Sequence, residues 1–179
     1  MNSFKKKISI ILPNLDGGGA EKNFYLLSND WIQKGYNVEF ALLEKKGIYI
    51  SLLNKEISII DLGVKKYRYI FWPLFKYFLK NNSNITLVNL WPITSVAVIA
   101  NFFTLNKNKL ILCDHQILSQ SYLNNKIIKW YLSISIKVIY FFSAGVLAVS
   151  NAVKKDLEKF GVNINKIKVI YNPIINNNS

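Results

Sequence analysis

Short apolar runs of four to six residues recur along the chain, at 8–12, 38–43, 57–62, 85–90, 110–113, 146–149 and 167–171. Most lack the apolar–polar alternation of a half-exposed strand, and their length suits strands buried on both faces. Between most of them the spacing changes to three and four. Ala20, Phe24, Leu27 and Trp31 share one helical face, and Gly35 offers a stop. Ser150 is suited to cap a later helix that carries Val153 and Leu157 on one face and ends at Gly161. Strand and helix in alternation predict right-handed crossovers and a parallel sheet covered by helices on both faces. The expected fold class is therefore α/β, a doubly wound, Rossmann-like parallel sheet. In such sheets ligands bind beyond the carboxyl ends of the strands, so the residues just after each strand are where chemistry is expected.

Three of those loops carry candidates. After the first strand come Asp16, Gly17, Gly18, Gly19, Ala20 and Glu21, a glycine run entering a helix. Such a loop lets backbone N–H groups approach an anion, with the helix dipole assisting. The spacing is neither that of a dinucleotide fingerprint nor that of a P-loop, and a tight strand-to-helix turn with Glu21 in the first turn is the plainer alternative. After the fifth strand stands His115, the single histidine of the chain. One histidine excludes any His–His metal site, and no metal is expected; it is read either as a structural hydrogen-bonding residue or as a cleft residue. After the fourth strand, Asn89 and Trp91 place an amide and a ring at the same edge, the ring able to stack on a sugar or to fill the core.

With 179 residues, 51% hydrophobic, the chain is long enough for one well-buried domain. Its net charge of +13 comes from 22 lysines and one arginine, Arg68. Nucleic-acid recognition favours the planar guanidinium, so a nucleic-acid partner is not expected. Anionic lipid is the better-supported partner for that charge. Residues 65–80 carry Lys65, Lys66, Arg68, Lys76 and Lys80 with no acid, and Trp72 and six other aromatics lie between them. The stretch reads equally as a helix lying flat on a bilayer or as a crossover helix with its rings on a sheet. Residues 126–142 hold Lys129 and Lys137, which argues for a buried crossover helix over a membrane span. The apolar run behind Lys5, Lys6 and Lys7 is short for a signal-peptide core, and the lone Cys113 fits a reducing compartment. A cytoplasmic protein, peripheral at most on the inner face of the plasma membrane, is expected.

Three features together carry a resemblance: the Gly17–Glu21 loop after the first strand, His115 after the fifth, and the stretch 146–174. In that stretch Val149 and Ser150 precede a helix, Gly161, a Lys-Ile-Lys-Val-Ile strand and Asn172-Pro173. Over nearly its whole length the chain resembles the amino-terminal domain of glycosyltransferases of family 4. The resemblance implies a single domain, residues 1–175, equivalent to the first half of a GT-B fold, with 176–179 a polar tail opening towards an absent second domain. It further implies that Gly17, Gly18 and Gly19 approach the donor diphosphate or transferred sugar. His115 would contact the sugar near the reacting carbon, and Asp16, Asn89 and Trp91 would line the acceptor cleft. No cofactor is implied beyond the nucleotide-sugar donor, a co-substrate. The partners implied are a donor-binding domain or chain and a lipid-linked or other glycan acceptor. The expected function is acceptor-side participation in sugar transfer, inactive alone; the alternative is a non-catalytic acceptor-binding or scaffolding partner of a complete transferase.

Overall fold

The computed structural model describes residues 6–105, 108–121 and 126–172, without the side chains of 126–129. The domain boundary expected at 175, Pro173 and the polar tail lie outside the described residues. Seven strands form one parallel sheet: β1 (Lys7–Leu12), β2 (Asn37–Leu42), β3 (Ser58–Asp61), β4 (Ile85–Asn89), β5 (Leu110–Asp114), β6 (Gly145–Ala148) and β7 (Ile167–Val169). Their order is β3-β2-β1-β4-β5-β6-β7. Each expected apolar run is a strand, with ends shifted by a few residues. The helices are α1 (Gly19–Gln33), α2 (Phe71–Lys80), α3 (Ile93–Phe103), the short α4 (Leu118–Ser121), α5 (Lys126–Ile134) and α6 (Asn151–Lys159).

The order reverses between β1 and β4, and with right-handed crossovers this sorts the helices onto two faces. One face packs Ile11, Val88, Leu112 and Val146 against Leu74 and Phe78 of α2, Ala97 of α3, Ile136 and Leu157 of α6. The other packs Ile10, Leu12, Val38 and Phe40 against Phe24 of α1. Ser150 caps α6 as expected, its side chain accepting the Val153 N–H at 3.2 Å.

Cover on both faces is complete over β2 and most of β1, while the edge strand β3 stays largely exposed. Beyond α1 the second face of β4, β5 and β6 is only partly covered: Leu87 and Cys113 are buried, but Ile85, Ile111 and Leu147 stay half-buried while Val88, Leu112 and Ala148 on the first face are fully buried. The result is an apolar groove of about 470 Å³ between α1 and these strands. Leu27 and Trp31, which share the helical face of Ala20 and Phe24, line it and remain half-buried.

Residues 65–80 form a short 3₁₀ turn (Tyr67–Tyr69) and α2. Ile70, Leu74, Tyr77 and Phe78 are buried, so the stretch cannot lie flat on a bilayer with all its rings; Tyr67, Tyr69 and Trp72 face outward. Lys65, Lys66, Arg68, Lys76 and Lys80 are all exposed, and Arg68 lies 4.8 Å from the Tyr69 ring centre. The crossover helix expected over 126–142 is α5 followed by a π turn (Ser135–Ile139) and a 3₁₀ turn (Tyr140–Phe142). It is buried on one side only, through Leu132, Ile136 and Tyr140, whereas Trp130, Tyr131, Phe141 and Phe142 are exposed. Among the described residues no helix is long and apolar enough to cross a membrane.

A buried polar cluster ties α2 to the sheet. Glu39 Oε1 accepts the Tyr77 hydroxyl at 2.8 Å and the Ser9 hydroxyl at 3.2 Å, and its other oxygen pairs with Lys7 at 3.0 Å. Buried charge is tolerated when its oxygens are satisfied in this way. Tyr77→Phe keeps the ring and deletes one donor to a buried carboxylate. It is expected to lower unfolding free energy by about 1–3 kcal/mol, measured by urea denaturation; an unchanged midpoint would show that the bond contributes nothing.

Candidate functional site

The topological switch between β1 and β4 puts the loops after β1, β4 and β5 side by side at the carboxyl edge. There a cavity of about 250 Å³ is lined by Gly19, Ala20, Glu21, Leu90, His115 and Gln116, with Asn172 closing one side. The glycine loop and His115, far apart in sequence, therefore share one site.

Each glycine of the loop has a different job. Gly17 sits at φ +120°, where side chains are strained. Gly18 is the residue before α1, in an extended conformation with no side chain to cap the helix. Gly18 thus offers the first N–H groups of α1 no capping side chain, and they lie at the positive end of a 15-residue helix. Glu21 folds back over this loop: its Oε2 stands 2.2 Å from where a Gly18 Cβ would be. A Cβ on Gly19 would meet nothing within 4 Å and would project into open space.

Residues beyond β2 brace the loop. The Leu15 N–H donates to the Lys46 carbonyl at 2.9 Å, and the Leu15 carbonyl accepts the Tyr49 N–H at 3.2 Å. At Gly47, φ +125°, an added Cβ would lie 2.0 Å from the Leu15 carbonyl carbon, so no other residue fits without moving the loop. Gly47 was not singled out from the sequence, because nothing local marks a contact made thirty residues away. Asp16 points outward to Lys46 at 3.7 Å, on the rim and not in the cavity.

His115 is held by Asn89. The Asn89 Nδ2 donates to the Ile11 carbonyl at 3.1 Å, which turns Oδ1 towards the ring, 3.1 Å from His115 Nε2. An amide oxygen can only accept, so Nε2 carries the proton and Nδ1 keeps its lone pair. Nδ1 is buried and has no hydrogen-bond partner among the described residues. Phe24 of α1 meets the ring edge-on at 6.0 Å. Burial lowers the His115 pKa to about 4, so the ring is neutral near pH 7. Next to it, burial pushes Asp114 up to about 7, opposed by the Tyr140 hydroxyl and aided by the Asp156 carboxylate. Asp114 Oδ1 accepts that hydroxyl at 3.3 Å.

Trp91 follows Leu90, which adopts φ +66° in the turn after β4. The ring packs against the main core, and its Nε1 donates to Ser135 Oγ at 3.0 Å. It is therefore placed away from the cavity that Gly19 and His115 share. Gln116 and Asn172 do line that cavity; Gln116 was signalled only by its place beside His115.

Comparison with known proteins adds to this geometry. The profile of glycosyltransferase family 4 matches residues 17–176. Among solved structures, a lipopolysaccharide outer core galactosyltransferase, WaaB, superposes with a TM-score of 0.67 at 16% identity, covering 94% of this chain and 46% of that one. HepE of Anabaena, in complex with UDP-glucose, gives 0.69 at 19% identity, covering 94% and 44%. A glycosyltransferase from Rickettsia africae gives 0.63 at 21%, covering 94% and 43%. The chain thus spans less than half the length of these structures. No curated protein matches the sequence.

The two buried titrating groups have opposite pH signatures. Asp114, raised in the folded protein, contributes stability that is present below about pH 4 and lost as the pH rises through about 7. His115, lowered, costs stability progressively as the pH falls from 6.5 to about 4. The two slopes oppose each other over pH 4–6.5, each at most ~1.4 kcal/mol per pH unit. In thermal melts across this range, Asp114→Asn should become less stable relative to the parent as the pH falls, and His115→Gln more stable. Curves parallel to the parent would contradict both assignments.

Proposed function

Because the chain belongs to glycosyltransferase family 4, we propose that it is the acceptor-side half of a two-domain enzyme that moves a sugar from a nucleotide-sugar donor to a glycan acceptor. The observation that carries this reading is the meeting of the uncapped α1 terminus with His115 in one cavity at the switch point. A helix terminus whose capping position has no side chain suits phosphate or sugar oxygens, and an uncharged imidazole beside it suits a sugar.

In this reading the bond between the anomeric carbon and the donor phosphate oxygen breaks, a bond to an acceptor hydroxyl oxygen forms on the same face, and the hydroxyl proton passes to the leaving phosphate. No cofactor of the protein's own takes part. The chain's own residues orient and do not react: α1 holds oxygen atoms, and Asn89 fixes the tautomer of His115. Orientation of this kind is a large part of the rate of a two-substrate transfer, but the charge developing on the leaving diphosphate also needs a cationic wall. Among the described residues the cavity lining offers one carboxylate, Glu21, and no Lys or Arg. That wall is assigned to a second domain or partner chain. The bare apolar groove beside β4, β5 and β6 supports the assignment, since parallel sheets are normally covered on both faces. We take the acceptor to be lipid-linked and the chain to work at the cytoplasmic side of a membrane, the aromatic outer layer described below being the support.

The test is a transfer assay with a panel of nucleotide sugars and extracted lipid-linked acceptors. The 179-residue chain alone should give no turnover, and co-expression with a donor-binding domain should restore it. Turnover by the chain alone would overturn the half-enzyme reading. In the restored enzyme, Gly19→Val should lower kcat/KM by about tenfold or more, ~1.4 kcal/mol in the transition state, with an unchanged melting temperature.

A further inference from the structure

The outer side of the layer formed by α2, α3 and residues 126–142 is an aromatic surface. Rings from all three segments touch in an unbroken series. Trp72 meets Phe71 at 5.2 Å between centroids, Phe71 meets Phe103 at 6.3 Å, and Phe103 meets Phe102 at 5.7 Å. Phe102 then meets Phe142 at 6.0 Å, and Phe142 meets Phe141 at 5.5 Å. Scattered exposed rings need no explanation, but here Trp72, Phe102, Phe103, Phe141 and Phe142 are each 60% to 66% exposed within one contact series. An apolar groove of about 270 Å³ opens between α3 and the end of the 126–142 segment, among Val98, Ile99, Phe102, Val138 and Phe142.

The charge around these rings has one sign. Residues 62–153 carry ten Lys or Arg and a single carboxylate, Asp114, which is 1% exposed and belongs to the sheet. Lys76 is exposed one turn beyond Trp72 on α2. Lys166 Nζ stands 5.0 Å from the Phe141 ring centre and donates to the Ser143 carbonyl at 2.9 Å. Rings bordered by lysines, with no exposed acid across the layer, match the interfacial region of a bilayer, where aromatics settle at headgroup depth and lysines meet lipid phosphates. A second copy of the chain fits poorly, because a two-fold contact would set this acid-free surface against itself.

We propose that this face docks on an anionic lipid bilayer, with Phe102, Phe103, Phe141 and Phe142 entering the headgroup region and Trp72 at its edge. The docking face differs from a helix over 65–80 lying flat on the bilayer, one of the two readings of that stretch: α2 contributes only its outward edge, and most of the exposed rings come from α3 and residues 130–142. The inference stands apart from the sugar-transfer reading, and its test measures binding without turnover.

The test is flotation of the 179-residue chain with vesicles of phosphatidylcholine, with and without phosphatidylglycerol. The chain should float with the anionic vesicles and much less with the neutral ones. Phe102→Ser with Phe142→Ser should weaken partitioning by about tenfold or more, while Ile48→Ser, an exposed site away from this layer, should not. Vesicles with bromine-labelled acyl chains give a measurement that needs no folded surface variant. They should quench tryptophan fluorescence in the parent, and Trp72→Phe with Trp130→Phe should remove most of that quenching. Absence of flotation by the parent, equal flotation by the double serine variant, or a dimer in light scattering that this variant disperses would each overturn the proposal.

Discussion

Pairing of β1 with β4 is the contact on which the remaining arrangement turns. Its register, Ile8 with Ile85 through Ile11 with Val88, places β1 inside the sheet beside the central strand β4, with β2 and β3 extending one way and β5, β6 and β7 the other. Crossover handedness then leaves no choice about which helices share a face. The same pairing sets the Ile11 carbonyl beside Asn89, and so orients the one histidine of the site. Sheet geometry and site chemistry are two consequences of one strand neighbour.

Uneven cover of the sheet is the second organising fact. Four connections fall on the face of α2, α3, α5 and α6, whereas α1 and the segment between β2 and β3 serve the other. The crowded face is dry enough to bury the Asp114 carboxyl and the Tyr140 hydroxyl, while the sparse face leaves half-buried aliphatics beside the cavity. Both the inward and outward sides of the crowded layer are apolar, but only the inward side has a covering within the described residues.

Much of this was legible from residue order, and the failures have definite physical origins. Seven apolar runs became seven strands, because short apolar runs separated by helical spacing and turn residues suit the strands of an alternating α/β sheet. The Ser150 cap and the Ala20–Phe24 helical face were equally plain. Leu27 and Trp31 share that face yet stay half-buried, since helical spacing tells which face a residue occupies but not whether that face has a neighbour. The 126–142 segment was overestimated for the same reason. Asn89 was recognisable as an edge residue, yet its hold on His115 depends on a carbonyl 78 positions away, and Trp91 turned to the core because Ser135 offered its indole a partner. Long-range partners of this kind leave no local mark.

Gly47 shows how far such a dependence reaches. The segment after β2 presses its backbone against Leu15 with no room for a single methyl group, and that contact shapes the turn from which Gly17, Gly18 and Gly19 emerge. Evolution of the glycine loop is therefore tethered to an unrelated stretch of sequence. Variation among glycine-loop sequences in related proteins should travel with variation in the β2 exit, and grafting one loop without the other would transplant the letters but not the shape.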